Sequence, residues 1–447
     1  MSLPPIFAAS ALYDSLLQAA LRQFFGRATF ETEPIPSLSS DGRLAIEPTS
    51  DPSVLSIRWF GMRYVLHVPA RRPFTPHEVR LARGIGTVLA MRYRAIFDPK
   101  QMLERGELFR GAIEDRYVGA FLDDPAYGDP KQTRADSVAT AIEVLRVAAL
   151  SSYENRAISS GVLLLEGEAD PIRANVVTQA QEYKYSQALT GIKSFYRLCD
   201  GLHTLFLVNR AGAVLDIVEV SRYARPAELD VLCSKTYEAH ALATARNRNI
   251  CVVLSPSHEI KIFAEGVQTF SFRNARWHLL DIKAKYEMWA EAVGNPALAR
   301  RLFQTALDLA DAREGALFVV LGRTDSLSQL VASGDQLDTM RLSGTDVPTR
   351  AQLMHMLRGK SATELDPAVL SGLARTDGAT VMDASGRLLA VGAILLHTEP
   401  PEPHSNLVVE GARTTAAMAA GRYGAVLKVS EDGLITFYDQ QERIWDI

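Results

Sequence analysis

Five short apolar runs in the middle of the chain constrain its fold more than any other feature: Gly161-Val-Leu-Leu-Leu165, Leu205-Phe-Leu-Val208, Val214-Leu-Asp-Ile-Val218, Ile250-Cys-Val-Val-Leu254 and Ile260-Lys-Ile-Phe263. Runs of four or five residues are too short for helices, and their β-branched content suits strands. The turns Asn209-Arg-Ala-Gly212 and Ser255-Pro-Ser-His258 lie between neighbouring runs and predict hairpin connections. A helix over 135–150 precedes the runs, so an α/β unit is expected over 131–275. The stretch Asp123 to Pro130, with two prolines, reads as the linker before it.

The chain has 447 residues, too many for one core, and at roughly 100–200 residues per domain it divides into two to four. Ahead of the linker, 1–125 reads as a small α+β module. Leu16, Leu17, Ala20, Leu21 and Phe24 form a helical stripe within Ala11–Phe25, and Ile57, Trp59, Tyr64 and Leu66 alternate in two strands around Gly61. Thr75-Pro76 with Glu78 three residues after the threonine is a capping box, predicting a helix that runs to Phe97 before Asp98-Pro99. From Trp277 to about Arg313 the spacing predicts two helices broken at Gly294-Asn295-Pro296. They connect into a C-terminal domain, giving 276–447 as connector plus domain.

The composition excludes several classes. With 47% hydrophobic and 22% charged residues the chain is globular, and a net charge of −4 argues against general nucleic-acid binding. No run approaches the roughly eighteen apolar residues that cross a bilayer, and the first residues lack a signal-peptide pattern. A cytoplasmic protein without a membrane partner is expected. Cys199, Cys233 and Cys251 are too few and too scattered for a disulfide framework or a Cys-x-x-Cys metal site, so reduced, buried thiols are expected. The histidines fall in no metal-binding spacing, and Gly-x-Ser-x-Gly is absent.

Chemistry concentrates in the last third. Asp377-Gly378-Ala379 can set a carboxylate for a metal beside a tight turn. Gly411-Ala412-Arg413-Thr414-Thr415-Ala416-Ala417 puts a small-residue loop and an arginine at a helix start, an arrangement suited to phosphate. Each half alone is ordinary, a turn or a solvated arginine; their order suggests a nucleotide site.

These motifs, with Gly315-Ala-Leu-Phe-Val-Val320, Ser333-Gly334-Asp335-Gln336-Leu337-Asp338 and Lys428-Val429-Ser430-Glu431-Asp432-Gly433, resemble the diadenylate cyclase domain over about 297–447. The resemblance implies an α/β multidomain chain, with a C-terminal mixed sheet flanked by helices and preceded by α+β sensor-like modules. It implies that two ATP molecules are joined into cyclic di-AMP with Mg²⁺ or Mn²⁺, in a homo-oligomer whose C-terminal domains face one another. Asp377 would be the metal carboxylate and, with Arg413 and Thr414, catalytic. Gly378, Ala379, Gly411, Ala412, Thr415, Ser430 and Glu431 would line the nucleotide. The family reads Arg-His-Arg where this chain has Arg413-Thr414-Thr415, which removes an imidazole and a positive charge. The alternative is therefore a non-catalytic sensor of ATP or a cyclic dinucleotide.

Overall fold

The computed structural model describes residues 5–25, 28–35, 44–47, 49–68, 72–97, 100, 106–122, 127, 136–153, 156–167, 183–192, 195–224, 231–339, 350–396 and 411–447. The linker stretch 123–130 falls outside these, apart from Tyr127, as do Asp98-Pro99, His397 and His404. The protein is a multidomain α/β chain with two compact units, Met1–Val231 with Tyr237–Asp281, and Leu232–Thr236 with Ile282–Ile447.

In the first unit, β1 (Thr29–Pro34), β2 (Ala45–Glu47), β3 (Val54–Trp59) and β4 (Met62–His67) form an antiparallel sheet in the order β1-β4-β3-β2. Phe60 and Gly61 reverse the chain with φ of 47° and 76°, the left-handed pair that a two-residue hairpin matching strand twist requires. Ile57, Trp59, Tyr64 and Leu66 are all buried, as their alternation demands. The helix Pro76–Phe97 starts on the expected box: Glu78 N donates to Thr75 Oγ1 (3.1 Å), and Thr75 N donates to the Glu78 carboxylate (2.9 Å).

A short pair, β5 (Ser152–Tyr153) and β6 (Arg156–Ala157), precedes a seven-stranded sheet. Its strands are β7 (Ser160–Leu164), β8 (Thr204–Val208), β9 (Val214–Glu219), β10 (Ile250–Leu254), β11 (Ile260–Ala264), β12 (Val267–Arg273) and β13 (Arg276–Leu279), in the order β13-β12-β11-β10-β7-β8-β9. All five apolar runs are strands, and both hairpins form. The expected helix is Ser137–Ala149, capped by Asp136, whose side chain accepts from Ala139 N.

The helical expectation for 277–281 is wrong. Arg276–Leu279 is strand β13, and the helix starts at Ile282. Asn274 and Ala275 both take left-handed backbone (φ 50° and 59°) and turn β12 back on itself, a turn hidden because the second position is not glycine. Trp277 then points inward, 1% exposed, and its indole N–H donates to Asp115 (2.7 Å). Buried residues from Tyr13 to Trp277 make one hydrophobic cluster, so the stretches 1–125 and 131–275 contribute to a common core. The three cysteines are free and buried, and burial raises the Cys199 and Cys251 thiols above their ordinary range.

The second unit is a six-stranded mixed sheet in the order β16-β15-β14-β17-β18-β19. Its strands are β14 (Ala316–Leu321), β15 (Ala379–Asp383), β16 (Leu388–Ala393), β17 (Gly424–Val429), β18 (Ile435–Asp439) and β19 (Glu442–Asp446). Only β14 and β15 pair in parallel; every other neighbour is antiparallel. All six residues of β14 are buried, as befits a central strand with both faces covered. One face carries the helices Ile282–Val293 and Pro296–Asp311, with Trp289 edge-on to Phe437 and Phe303 edge-on to Trp445. The predicted break is as read: Gly294 is left-handed (φ 70°), Asn295 caps the second helix through Leu298 N, and Pro296 occupies its first turn. The other face carries the helix Ala412–Ala420, whose Ala417 and Ala420 pack on Leu317, Val319, Val426 and Tyr438. Among the described residues, no helix is long and apolar enough to cross a membrane.

Candidate functional site

Strand direction brings the two motifs together. Phe318 pairs with Thr380 in the parallel ladder and Ala316 pairs with Val429 in the antiparallel one. Continued past the paired strands, by one residue for Gly315 and Ser430 and by two for Asp377, these registers bring Gly315 beside Ser430 and the Asp377-Gly378 turn to the same end of the sheet. At an interstrand spacing of about 4.8 Å, β15 and β17 stand about 10 Å apart on either side of β14. The helix Ala412–Ala420 precedes β17 and runs back across it, so its N-terminus comes to the same edge.

Gly378 has φ of 104°, and a Cβ there would lie 2.6 Å from Gly392 C and 2.7 Å from Ala393 O. The glycine is thus required by the close approach of β16, where the β15–β16 register is irregular. It holds Asp377 at the lip of the sheet, exposed and without a hydrogen bond or ion pair among the described residues. Ala379 is buried as the first residue of β15.

Gly411 is the helix N-cap, with extended backbone, and its carbonyl accepts from Thr414 N (2.8 Å) and Thr415 N (3.4 Å). Gly411 and Ala412 are exposed, leaving the amide-rich start of the helix open to solvent. Arg413 reaches Glu431, with Nη1 2.8 Å from Oε1, and its guanidinium lies over Gly315, where a Cβ would collide with it. Glu431 stands on the β17–β18 hairpin, which is closed by Ser430 N to Leu434 O (2.8 Å) and Gly433 N to Ser430 O (2.9 Å). Arg313 fixes that hairpin by donating to Asp432 O (2.6 Å).

Thr414 faces the other way. It is 7% exposed, and its hydroxyl accepts from the Lys428 ammonium (2.7 Å), itself buried on β17. The structure therefore gathers Asp377, Gly378, Gly411, Ala412, Arg413, Ser430 and Glu431 at one open edge, with Thr415 half-buried on the first turn, and turns Thr414 inward onto the sheet. Three residues of this neighbourhood were not named as site residues from sequence, although Gly315 and Lys428 open two of the quoted motifs. Gly315 makes room for Arg413. Arg375, two residues before Asp377, pairs with Glu314 (2.7 Å). Lys428 interrupts the apolar run Ala425-Val-Leu-Lys-Val429, and that interruption was the signal available.

Among the described residues, no group of three or more His, Cys, Asp or Glu side chains could hold a metal ion. An open Asp377 fits a different kind of site, in which a divalent ion takes one or two protein carboxylates and completes its shell from ligand phosphates and water.

No protein-family model matches the chain, and no curated protein matches it. Among solved structures, a hypothetical membrane spanning protein from Bacillus cereus is similar at 20% identity and TM-score 0.26, over 36% of this chain and 70% of that one. A double mutant of DacA from Staphylococcus aureus is similar at 19% identity and TM-score 0.20, over 34% of this chain and 86% of that one. Similarity at these values assigns neither a fold nor an activity to the chain.

Proposed function

We propose that the C-terminal unit binds ATP with Mg²⁺ or Mn²⁺ at this sheet edge and is of the diadenylate cyclase type. The observation that carries the reading is that the strands flanking β14 bring the Asp377-Gly378 turn and the Ser430-Glu431 hairpin to one end of the sheet, with the Arg413 guanidinium laid over Gly315 between them. Asp377 would hold the metal, which neutralises phosphate charge when bound. The helix start and Arg413 would take the phosphates. Gly378, Ala379, Gly411, Ala412, Thr415, Ser430 and Glu431 would shape the pocket. Cyclisation joins each 3′-oxygen to the α-phosphorus of the other ATP, with loss of two pyrophosphates, so two C-terminal units must face one another in a homo-oligomer. The N-terminal unit would set how they meet, as a sensor module.

One observation favours binding without turnover. Thr414 is engaged by Lys428 and turned away from the open edge, so Arg413 is the one side-chain cation that the Arg-Thr-Thr sequence presents there. Loss of a charged group at a reacting phosphate costs on the order of a hundredfold or more in rate.

Calorimetry of the full chain tests the common part of both readings. ATP binding should require the divalent ion and weaken at least about tenfold in Asp377→Asn, as expected for loss of a charged metal ligand. Equal affinity in wild type and in the Asp377→Asn, Arg413→Ala double variant removes the site. Mass spectrometry after incubation with ATP and Mn²⁺ separates cyclase from sensor by the presence of cyclic di-AMP.

A further inference from the structure

The chain passes between its two units more often than two successive domains require. Leu232–Thr236 belongs to the second unit, although the residues up to Val231 and from Tyr237 onward belong to the first. Leu232, Cys233 and Ser234 are buried, Cys233 O accepts from the Gln304 side chain (2.5 Å), and Lys235 N donates to the Asp308 carboxylate (2.8 Å). Gln304 and Asp308 lie one turn apart on the helix Pro296–Asp311 and grip the segment by its backbone. Asp308 stands where a carboxylate is disfavoured. It is in the last turn of the helix, the end that carries partial negative charge, and burial raises its carboxyl above the ordinary range. Alanine would suit the helix better, and what the carboxylate provides instead is an acceptor for the Lys235 amide.

Two residues beyond Lys235, Tyr237 is buried and stacked on Phe263 in the first unit, with ring centroids 5.5 Å apart. Two residues span at most about 7 Å, so the segment holds no slack, and a movement that draws Tyr237 away pulls on Lys235. The other side of the grip leads to the β17–β18 hairpin. The carbonyl of Ala310, two residues past Asp308, lies against Gly433, where a Cβ would be 3.1 Å from it, and Arg313 donates to Asp432 O (2.6 Å). We infer that Leu232–Thr236 is a strap through which the first unit holds this hairpin: its grip on Gln304 and Asp308 fixes the end of the helix on which the hairpin rests. The helix end is the element with two states, gripped and released, and release lets the hairpin carrying Ser430 and Glu431 open. That the hairpin lines a nucleotide rests on the reading above; the strap itself does not.

Hydrogen exchange of the full-length protein without nucleotide tests the strap in wild type, Lys235→Pro, Asp308→Ala and Asp308→Asn. Proline is tolerated at the start of the short helical turn Lys235–Tyr237 and lacks the N–H that Asp308 accepts. Peptides across the β17–β18 hairpin should exchange roughly tenfold faster in Lys235→Pro and in Asp308→Ala, the scale of losing one hydrogen bond to a charged group. Exchange in β14 should not change, and Asp308→Asn, which keeps an acceptor, should be less affected. Unchanged hairpin exchange in both Lys235→Pro and Asp308→Ala overturns the inference. Slower hairpin exchange in Asp308→Ala, which helix preference alone predicts, overturns it as well. Equal acceleration in β14 assigns these contacts to the general stability of the unit and overturns it too. ATP calorimetry is a separate measurement: a wild type that binds no ATP removes the nucleotide reading and leaves the exchange result to decide the strap.

Discussion

Glu431 and Arg413 make the most discriminating perturbation. Their side chains are 72% and 40% exposed, so the 2.8 Å ion pair between them lies in water. Pairs of this kind contribute about 0.2–1 kcal/mol, and breaking one leaves the fold unaffected. If Arg413 takes phosphate, Glu431 competes for it and repels the incoming anion. Glu431→Gln should then tighten ATP by about 1 kcal/mol, roughly fivefold, with an unchanged melting temperature. Arg413→Ala removes charge-assisted hydrogen bonds and should weaken ATP by about 1.5–3 kcal/mol, roughly ten- to a hundredfold. The assay is calorimetry at fixed Mg²⁺ and two ionic strengths, because the gain in Glu431→Gln should shrink as salt screens an exposed carboxylate. Glu431→Gln that loses ATP affinity tenfold refutes the reasoning and makes the carboxylate a metal ligand beside Asp377.

Other expectations concern the frame. Asp115 is 1% exposed and accepts from Arg146 (2.9 and 2.7 Å) and from Trp277, so Asp115→Ala strands a guanidinium and an indole N–H. It should cost the first unit about 3 kcal/mol in urea titration, the lower end of the range for broken buried pairs because Arg146 is partly in water; a loss below about 1 kcal/mol is the opposing result. His77 is raised to about 9, first by its hydrogen bond to Asp281 (2.7 Å) and then by Glu265, which also pairs with Arg80. The protonated imidazole therefore adds stability that is complete below its ordinary value of 6.5 and lost as pH rises through about 9. Wild type should lose melting temperature between those limits and His77→Gln should not, and matching profiles would show that the pair contributes nothing. Gly378→Ala forces a side chain into left-handed backbone against Gly392 and Ala393, and should cost the second unit about 2–5 kcal/mol by calorimetry, with an unchanged C-terminal transition as the contrary outcome.

Local signals were legible in the sequence and long-range pairings were not. The Thr75/Glu78 box, the Asn295 cap and the two middle hairpins each complete their hydrogen bonds within a few residues, so the residues name the structure. β1, Thr-Phe-Glu-Thr-Glu-Pro, is an edge strand that is almost wholly exposed and carries no apolar alternation. β12 and β13 were missed because Asn274-Ala275 does not advertise its left-handed pair. In the candidate site the motifs were visible, and their meeting was not, because it depends on the parallel pairing of β14 with a strand about sixty residues away. The inward turn of Thr414 was within reach: Thr414, Ala417 and Ala420 share a helix face, and two alanines on a buried stripe predict that the threonine joins them while Arg413 points elsewhere.

The central position of β14 also acts as a ruler. The two halves of the site ride on the strands at either side of it, so their separation is counted in strands and set at about 10 Å. Lengthening either connecting segment leaves that distance alone. A one-residue slip of β15 or β17 would exchange the side chains of its two buried faces and spoil the packing on both, so the spacing has no gradual intermediate values. A ligand gains both halves only if it is long enough to bridge them. If this end of the sheet takes phosphate as proposed, a single phosphate would engage one side and a metal-bearing triphosphate two, and discrimination among nucleotides by chain length would need no side chain devoted to it.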